Sequence, residues 1–195
     1  VLGEVWEDAS NKVSYGALRE YFLGSELDAT MHYPFRTAVL DFLLGKIRAQ
    51  AACDAFWTIQ EHYPKENLYA ALNLIGSHDR ARVLTFLQFA LPGVPSIYYG
   101  DEAGMTGGTD PYNRGSFPWG KGNAPLTDFV RSLTAMYQET PLLRRGECEM
   151  VFFGENVLGC RRFDESGSVL ALVNRGEEAV ECFGVTVPGR GYILE

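Results

Sequence analysis

The chain has 195 residues, of which 46% are apolar and 22% are charged, so it can bury a core and does not belong to the disordered class. Its formal net charge of −8 argues against nucleic acid or an anionic membrane surface as a partner, and it fits a neutral ligand such as a sugar. No apolar run reaches the ~18 residues that a membrane span requires.

The cysteines give no sign of a metal site. None of Cys53, Cys148, Cys160 and Cys182 forms a Cys-x-x-Cys pair, and no two histidines have a zinc-binding spacing. We interpret the four cysteines as free, partly buried thiols in a reducing compartment. This interpretation favours the cytoplasm as the location of the protein. A disulfide among the last three cysteines stays open.

The first part of the chain alternates short apolar runs with helical spacing. Four strands are predicted at residues 1–6 (VLGEVW), 27–33 (LDATMHY), 69–76 (YAALNLIG) and 93–100 (GVPSIYYG). Helices are predicted at 13–23, over 35–62 with a break at Gly45, at 80–91 and near 125–138. Strands that are apolar on both faces, each followed by a helix, indicate a parallel sheet of βα units.

After Pro141 the helical spacing stops. The remaining apolar runs predict short antiparallel strands, namely EMVFFG, VLGCRRF, SVLALVN, AVECFGV and GYILE. The segments DESGS and NRGEE between them are typical of turns. We therefore expect two domains, residues 1–140 and residues 141–195.

Polar side chains follow three of the predicted parallel strands. Glu4 lies in the first strand, His32 ends the second, and His78 and Asp79 end the third. Because the carboxyl ends of parallel strands meet at one rim, we expect these four residues to converge. Each also has an ordinary structural explanation: Glu4 as the partner of a core arginine, Asp79 as a helix N-cap, and either histidine as a satisfied structural group.

Two carboxylates in one cleft suit the hydrolysis of a glycosidic bond. One protonates the leaving oxygen, while negative charge stabilises a transition state that resembles an oxocarbenium ion. The apolar neighbours of Glu4 predict that it is buried. Burial, together with repulsion from Asp79, would favour the protonated form that a general acid needs.

At this point the motifs resemble those of the α-amylase family of glycoside hydrolases, in the branch of neopullulanase, cyclomaltodextrinase and amylopullulanase. GEVW is similar to the family's fifth-strand motif and LDATMHYPF to its sixth-strand segment. NLIGSHDRAR is similar to the seventh-strand motif, and GVPSIYYGDEAG with DPYNRG to the eighth strand and its loop. The resemblance implies an α/β fold: a partial TIM (β/α)₈ barrel, strands five to eight, followed by a small antiparallel β domain.

The resemblance also implies a role for each matching residue. Glu4 would be the general acid/base, and Asp79 would stabilise the transition state. The implied substrate-binding residues are His78, Arg82, Asp110, Arg114, Trp6 and Tyr33. The two aromatic residues would stack on glucose rings, with core packing as the alternative. No metal or other cofactor is implied for this chain, while calcium in a full-length parent stays open.

The sequence departs from the family in having no segment like barrel strands one to four, which carry the nucleophilic Asp. His32 also replaces a usual Asn, and Gly115 a usual Arg. We therefore expect a fragment of a retaining α-glucan hydrolase, inactive alone. It would cleave α-1,4 bonds, with α-1,6 bonds open, in maltooligosaccharides, cyclodextrins or pullulan. Its partner would be the N-terminal half of the barrel or a second copy. The alternative is a non-catalytic sugar-binding or assembly module.

Overall fold

The computed structural model describes residues 1–23, 26–74, 81–107 and 114–195. The strands are β1 (Leu2–Gly3), β2 (Val13–Ser14), β3 (Ala17–Leu18), β4 (Ala29–Thr30), β5 (Leu72–Leu74), β6 (Val94–Ser96), β7 (Glu147–Phe153), β8 (Val157–Asp164), β9 (Gly167–Asn174), β10 (Val180–Cys182), β11 (Val185–Val187) and β12 (Gly191–Leu194). The helices are α1 (Tyr33–Leu43), α2 (Ala49–His62), α3 (Lys65–Ala70), α4 (Ala81–Ala90), α5 (Ala124–Glu139) and α6 (Pro141–Arg145). No described helix is long and apolar enough to cross a membrane.

Four short parallel strands lie side by side in the order β1-β4-β5-β6. β1 pairs with β4 and β5 pairs with β6, and a parallel bridge between Met31 and Leu72 joins the two pairs. The backbone N–H of His32 continues this junction by donating to the carbonyl oxygen of Leu72 at 2.9 Å. Neighbouring strands that follow one another along the chain and run parallel are the arrangement of βα units. The predicted parallel sheet is confirmed among the described residues.

The long helix predicted over 35–62 is divided as expected. α1 ends at Leu43, Gly45 follows with a φ of 77°, and α2 begins at Ala49. A residue with a side chain is strained at that φ, so glycine allows the chain to leave the helix. The strand predicted to begin at residue 69 is too long, because Tyr69 belongs to α3 and β5 begins at Leu72.

The helix predicted at residues 13–23 is wrong. β2 and β3 form an antiparallel hairpin, and its two-residue loop is Tyr15 and Gly16. Their φ values are 54° and 77°, and two consecutive positive φ angles cannot continue a right-handed helix. The pair instead has the form of a type I′ turn, whose twist matches that of the flanking strands.

The last part of the chain is antiparallel, as predicted. β12, β9, β8 and β7 form one sheet in that order, and β10 and β11 form a separate hairpin. The run AVECFGV, predicted as one strand, is this hairpin: it turns at Phe183 and Gly184, with φ values of 51° and 82°. The predicted domain boundary falls where α5 ends at Glu139 and α6 begins at Pro141, and the division into two domains stays a prediction.

The antiparallel sheet and the helices share one hydrophobic core. Buried side chains of α1, α2 and α4, including Phe35, Phe56 and Leu87, pack in the same cluster as Met150 and Leu158 of the sheet. The sheet therefore covers apolar helix faces that would otherwise meet water.

A buried arginine connects the antiparallel sheet to the ends of two helices through hydrogen bonds. Arg162 of β8 donates from Nη1 to the carbonyl oxygen of Ala90 and from Nη2 to that of Gly146, each at 2.9 Å. Its guanidinium carbon also lies 5.5 Å from the ring centroid of Tyr69. Ala90 ends α4 and Gly146 follows α6, and the C-terminal end of a helix favours a cation.

Candidate active site

Glu4 lies one residue beyond the end of β1, and its side chain is exposed. Its Oε1 accepts a hydrogen bond of 2.8 Å from the hydroxyl of Tyr33, the first residue of α1. The expected burial of Glu4 within an apolar strand is wrong, because the strand ends at Gly3 and the buried neighbour is Val5. The carboxylate therefore meets solvent just past the carboxyl ends of β1 and β4, where barrel enzymes carry their chemistry.

Two aromatic rings lie beside this carboxylate. Trp6 and Tyr33 stack with their ring centroids 4.6 Å apart and their planes 10° from parallel. Trp6 is 67% exposed, so packing in the core does not explain it. Burial raises the pKa of Tyr33, and the hydrogen bond to Glu4 raises it further, so at neutral pH this hydroxyl keeps its proton and acts as the donor.

His32 lies in the core and not at the rim, which corrects the expectation from its place at a strand end. It is 1% exposed, and its Nδ1 lies 3.0 Å from Oδ1 of Asn73 on β5. A carboxamide oxygen only accepts, so Nδ1 carries the hydrogen and Nε2 is an acceptor, without a partner among the described residues. Burial lowers the pKa of His32 to about 4, and the ring is neutral at pH 7.

Two buried amides, Asn73 and Gln88, were not expected near the site. Asn73 donates from Nδ2 to the carbonyl oxygen of Pro92 at 3.0 Å. Gln88 of α4 donates from Nε2 to the carbonyl oxygens of Asn73 at 2.7 Å and Ser96 at 2.6 Å. The sequence does carry a signal for both: each is a polar residue within an apolar run, Asn73 in LNL and Gln88 in FLQFAL. A polar group at such a position is usually buried and hydrogen-bonded. Together with His32, these amides tie β4, β5, β6 and α4 to one another.

The other candidate residues are divided between described and undescribed parts of the chain. His78, Asp79 and Asp110 lie outside the described residues. Arg82 is exposed in the first turn of α4, and its guanidinium carbon lies 5.4 Å from the ring centroid of Phe129 on α5. Arg114 is exposed in the segment after β6, close enough to Tyr99 for its charge to act on the phenol. The structure thus brings Glu4, Trp6 and Tyr33 together, and the functional roles of these three and of the other candidate residues stay predictions.

Neither a disulfide nor a metal cluster is found in the described parts of the chain. All four cysteines are free thiols in the structure. No group of three or more His, Cys, Asp and Glu side chains is arranged to hold a metal ion in the described residues, which exclude 24–25, 75–80 and 108–113. Calcium in a longer protein stays a prediction.

Comparison with known proteins decides the family. Residues 1–139 match the family model of the alpha amylase catalytic domain. The chain belongs to the α-amylase family. This family consists of glycoside hydrolases, so the family expected from the sequence is confirmed, and solved structures similar to this chain include barrel enzymes of the same family.

Relatives of this α-amylase-family chain are considerably longer than it is. Cyclomaltodextrinase from Geobacillus thermopakistaniensis (strain MAS1) is 34% identical over 199 aligned residues, which cover 93% of this chain and 32% of that protein. Amylopullulanase from Thermoanaerobacter thermohydrosulfuricus is 31% identical over 227 aligned residues, covering 91% of this chain and 15% of the relative. The ligand-free structure of cyclic alpha-maltosyl-(1→6)-maltose hydrolase from Arthrobacter globiformis superposes with a TM-score of 0.88 at 27% identity, over 100% of this chain and 48% of that one. The chain therefore spans less than half the length of each of these proteins.

Proposed function

We propose that this chain supplies the acid/base side of the active site of a retaining α-glucan hydrolase that cleaves α-1,4-glucosidic bonds, with Glu4 as the general acid/base. The observation that carries the proposal is the exposed Glu4 carboxylate, held by the Tyr33 hydroxyl at 2.8 Å just past the end of a parallel strand, in a chain of the α-amylase family. A solvent-accessible carboxyl group at that place can exchange a proton with a bound substrate.

The hydrogen bond from Tyr33 gives Glu4 a defined geometry in both halves of the reaction. In the first half, Glu4 transfers its proton to the glycosidic oxygen as the bond to the sugar breaks. The Tyr33 hydroxyl then donates to the carboxylate that remains, which stabilises its negative charge. In the second half, the same carboxylate takes a proton from the water that releases the sugar.

The stacked rings of Trp6 and Tyr33 favour a sugar as the substrate. Their exposed surface lies next to the reacting carboxylate, and the apolar C–H face of a glucose ring packs on aromatic surface of this kind. A neutral glucan also suits a chain whose formal net charge is −8. The names of the relatives support maltooligosaccharides, cyclodextrins or pullulan as the substrate class.

The remaining catalytic groups complete the proposal. Asp79 would stabilise the transition state, and His78, Arg82, Asp110 and Arg114 would hold the substrate. No Asp in these 195 residues stands in a context like the family's nucleophile motif. We place the nucleophile on barrel strands outside this sequence and assign β1, β4, β5 and β6 to the fifth to eighth strands, which the greater length of the relatives supports.

An assembly experiment tests the proposal. The part of the G. thermopakistaniensis cyclomaltodextrinase that precedes its matched region is produced together with this chain, and reducing ends released from maltohexaose are measured. We expect turnover by the assembled pair and none by either piece alone. Turnover by the 195 residues alone would contradict an external nucleophile. A pair that co-elutes and binds maltohexaose without cleaving it would contradict the catalytic role and favour a sugar-binding module.

A further inference from the structure

The tip of the β2–β3 hairpin combines an aromatic residue with an unfavourable backbone conformation. Tyr15 has a φ of 54° and precedes Gly16 at 77°. Asn, Asp or Gly is favoured at the first position of such a turn, because a bulky side chain at positive φ is strained. A tyrosine therefore persists here at a cost to the stability of the turn.

Packing does not offset this cost. The Tyr15 side chain is fully exposed, and within the described residues it makes no hydrogen bond and no ring contact. Phe183 occupies the same position in the β10–β11 hairpin, with a φ of 51°, but its ring lies edge-on to Phe153 with centroids 6.4 Å apart. The aromatic ring therefore has a packing partner in one hairpin and none in the other.

Polar contacts link the hairpin to the segment that carries Glu4. Lys12, just before β2, forms an ion pair with Glu7, and its carbonyl oxygen accepts from the backbone N–H of Arg19 at 2.8 Å. Arg19 also donates from Nη2 to both carboxylate oxygens of Glu26, at 3.1 and 3.0 Å. Tyr15 thus lies at the tip of a hairpin that these contacts stabilise. The hairpin follows β1, the strand whose end carries Glu4.

From these observations we propose that Tyr15 is a specificity-determining residue whose ring stacks on a glucose unit of an α-glucan bound across the surface of Glu4, Trp6 and Tyr33. The inference rests on the proposed function. An uncharged, flat and exposed ring suits the C–H face of a neutral sugar, as the Trp6–Tyr33 stack does. Because the hairpin is a separate element that follows β1 in the chain, we expect the ring to strengthen the binding of long oligosaccharides and to leave maltose unaffected.

Isothermal titration of the 195-residue chain with maltohexaose and with maltose tests this residue. Tyr15→Asn removes the ring and suits the turn, Tyr15→Phe keeps the ring, and Phe183→Asn is the matched control in the other hairpin. We expect Tyr15→Asn to weaken maltohexaose binding about threefold to tenfold, the range of one aromatic stacking contact, and to leave maltose binding unchanged. The same variant should raise Tm by roughly 2–4 °C because the strain is relieved. Tyr15→Phe and Phe183→Asn should bind maltohexaose as the unaltered chain does.

The outcomes separate this inference from the proposed function. Equal maltohexaose affinity for Tyr15→Asn and the unaltered chain overturns the role of Tyr15 and leaves catalysis by Glu4 intact. Ring-dependent binding without turnover in the assembled pair supports Tyr15 and contradicts the catalytic proposal. No binding of maltohexaose by the unaltered chain overturns the role of Tyr15, whatever the assembled pair does.

Discussion

The buried guanidinium of Arg162 donates to the carbonyl oxygen of Ala90 at 2.9 Å, which joins the antiparallel sheet to the last residue of α4. Its other hydrogen bonds go to the carbonyl oxygens of Gly146 and Glu147, at 2.9 and 3.3 Å. Arg162 is thus a cation held by backbone dipoles between two parts of the chain. Its loss would leave the Ala90 carbonyl with only the weak thiol donor of Cys160 at 3.6 Å, while the Gly146 carbonyl would keep the Tyr69 hydroxyl at 2.7 Å.

Arg162→Met should therefore lower the free energy of unfolding by about 2–4 kcal/mol, because it removes buried hydrogen bonds from a charged group, which contribute about 1.5–3 kcal/mol each. Arg161→Met is the matched control, because Arg161 is half exposed and pairs with Glu149 at the surface. The control should cost about 1 kcal/mol or less. Urea unfolding followed by circular dichroism measures both variants, and similar losses would contradict this account of Arg162.

His32 should make the stability of the chain depend on pH. Burial lowers its pKa to about 4 in the folded chain, against about 6.5 when unfolded, so the unfolded state binds more protons between those values. The contribution of His32 is fully present above pH 6.5 and is lost as the pH falls to 4. Up to about 3 kcal/mol of the free energy of unfolding should disappear across that window.

His32→Asn removes the titrating group and should flatten the pH dependence of unfolding between pH 6.5 and 4. His62→Gln is the control, since His62 lies at the end of α2 and is exposed, and its replacement leaves His32 in place. Urea midpoints at several pH values measure the slope. The account of His32 fails if the unaltered chain and His32→Asn lose stability equally on acidification.

The contact between Glu4 and Tyr33 can be measured by titration. Burial is the main cause that raises the pKa of Tyr33, and the Glu4 carboxylate adds to it. Glu4→Gln removes the negative charge, so the pKa of Tyr33 should fall while staying above its ordinary value. NMR of chain labelled at the tyrosine ring carbons follows the change. Glu7→Gln, whose carboxylate pairs with Lys12, should leave the Tyr33 titration unaltered, and equal effects of the two variants would argue against the contact.

Gly93 should tolerate substitution less well than Gly45. Both have positive φ, 125° and 77°, but a Cβ at Gly93 would lie 2.6 Å from Oδ1 of Asn73, whereas one at Gly45 would meet open space. Gly45→Ala should cost about 1 kcal/mol of backbone strain, and Gly93→Ala about 2 kcal/mol more because it displaces a buried amide. Thermal unfolding compares them, and equal losses would show that Asn73 is not fixed in place.

Two hairpins mark the limit of what sequence patterns predicted about the fold. The long helices and the parallel pairing of the strands follow from apolar periodicity and from Gly45, and the structure confirms them. The helix expected at residues 13–23 and the single strand expected in AVECFGV were both wrong for one reason. Each contains a two-residue turn that begins with an aromatic residue, Tyr15 or Phe183, in place of the Asn or Asp that signals such a turn.

The candidate site shows a similar division. The strand-end motifs pointed to Glu4, Trp6 and Tyr33, and the structure brings these three together. The exposure of Glu4 could not be predicted, because apolar neighbours do not reveal that the strand ends at Gly3. The burial of His32 depends on Asn73, which is 41 residues away in sequence and becomes its neighbour only through the pairing of strands.

Glu4 is proposed to donate a proton to the leaving group, and the nature of the leaving group tests this role most directly. In the assembled pair, Glu4→Gln is compared with the unaltered chain on maltohexaose, whose leaving oxygen needs a proton, and on α-maltosyl fluoride, whose fluoride leaves without one. We predict that cleavage of maltohexaose falls by about 10²–10⁴-fold, while the first burst of fluoride release stays within about tenfold of the original rate. Equal losses on both substrates, or full activity on maltohexaose, would contradict the assignment of Glu4 as the general acid.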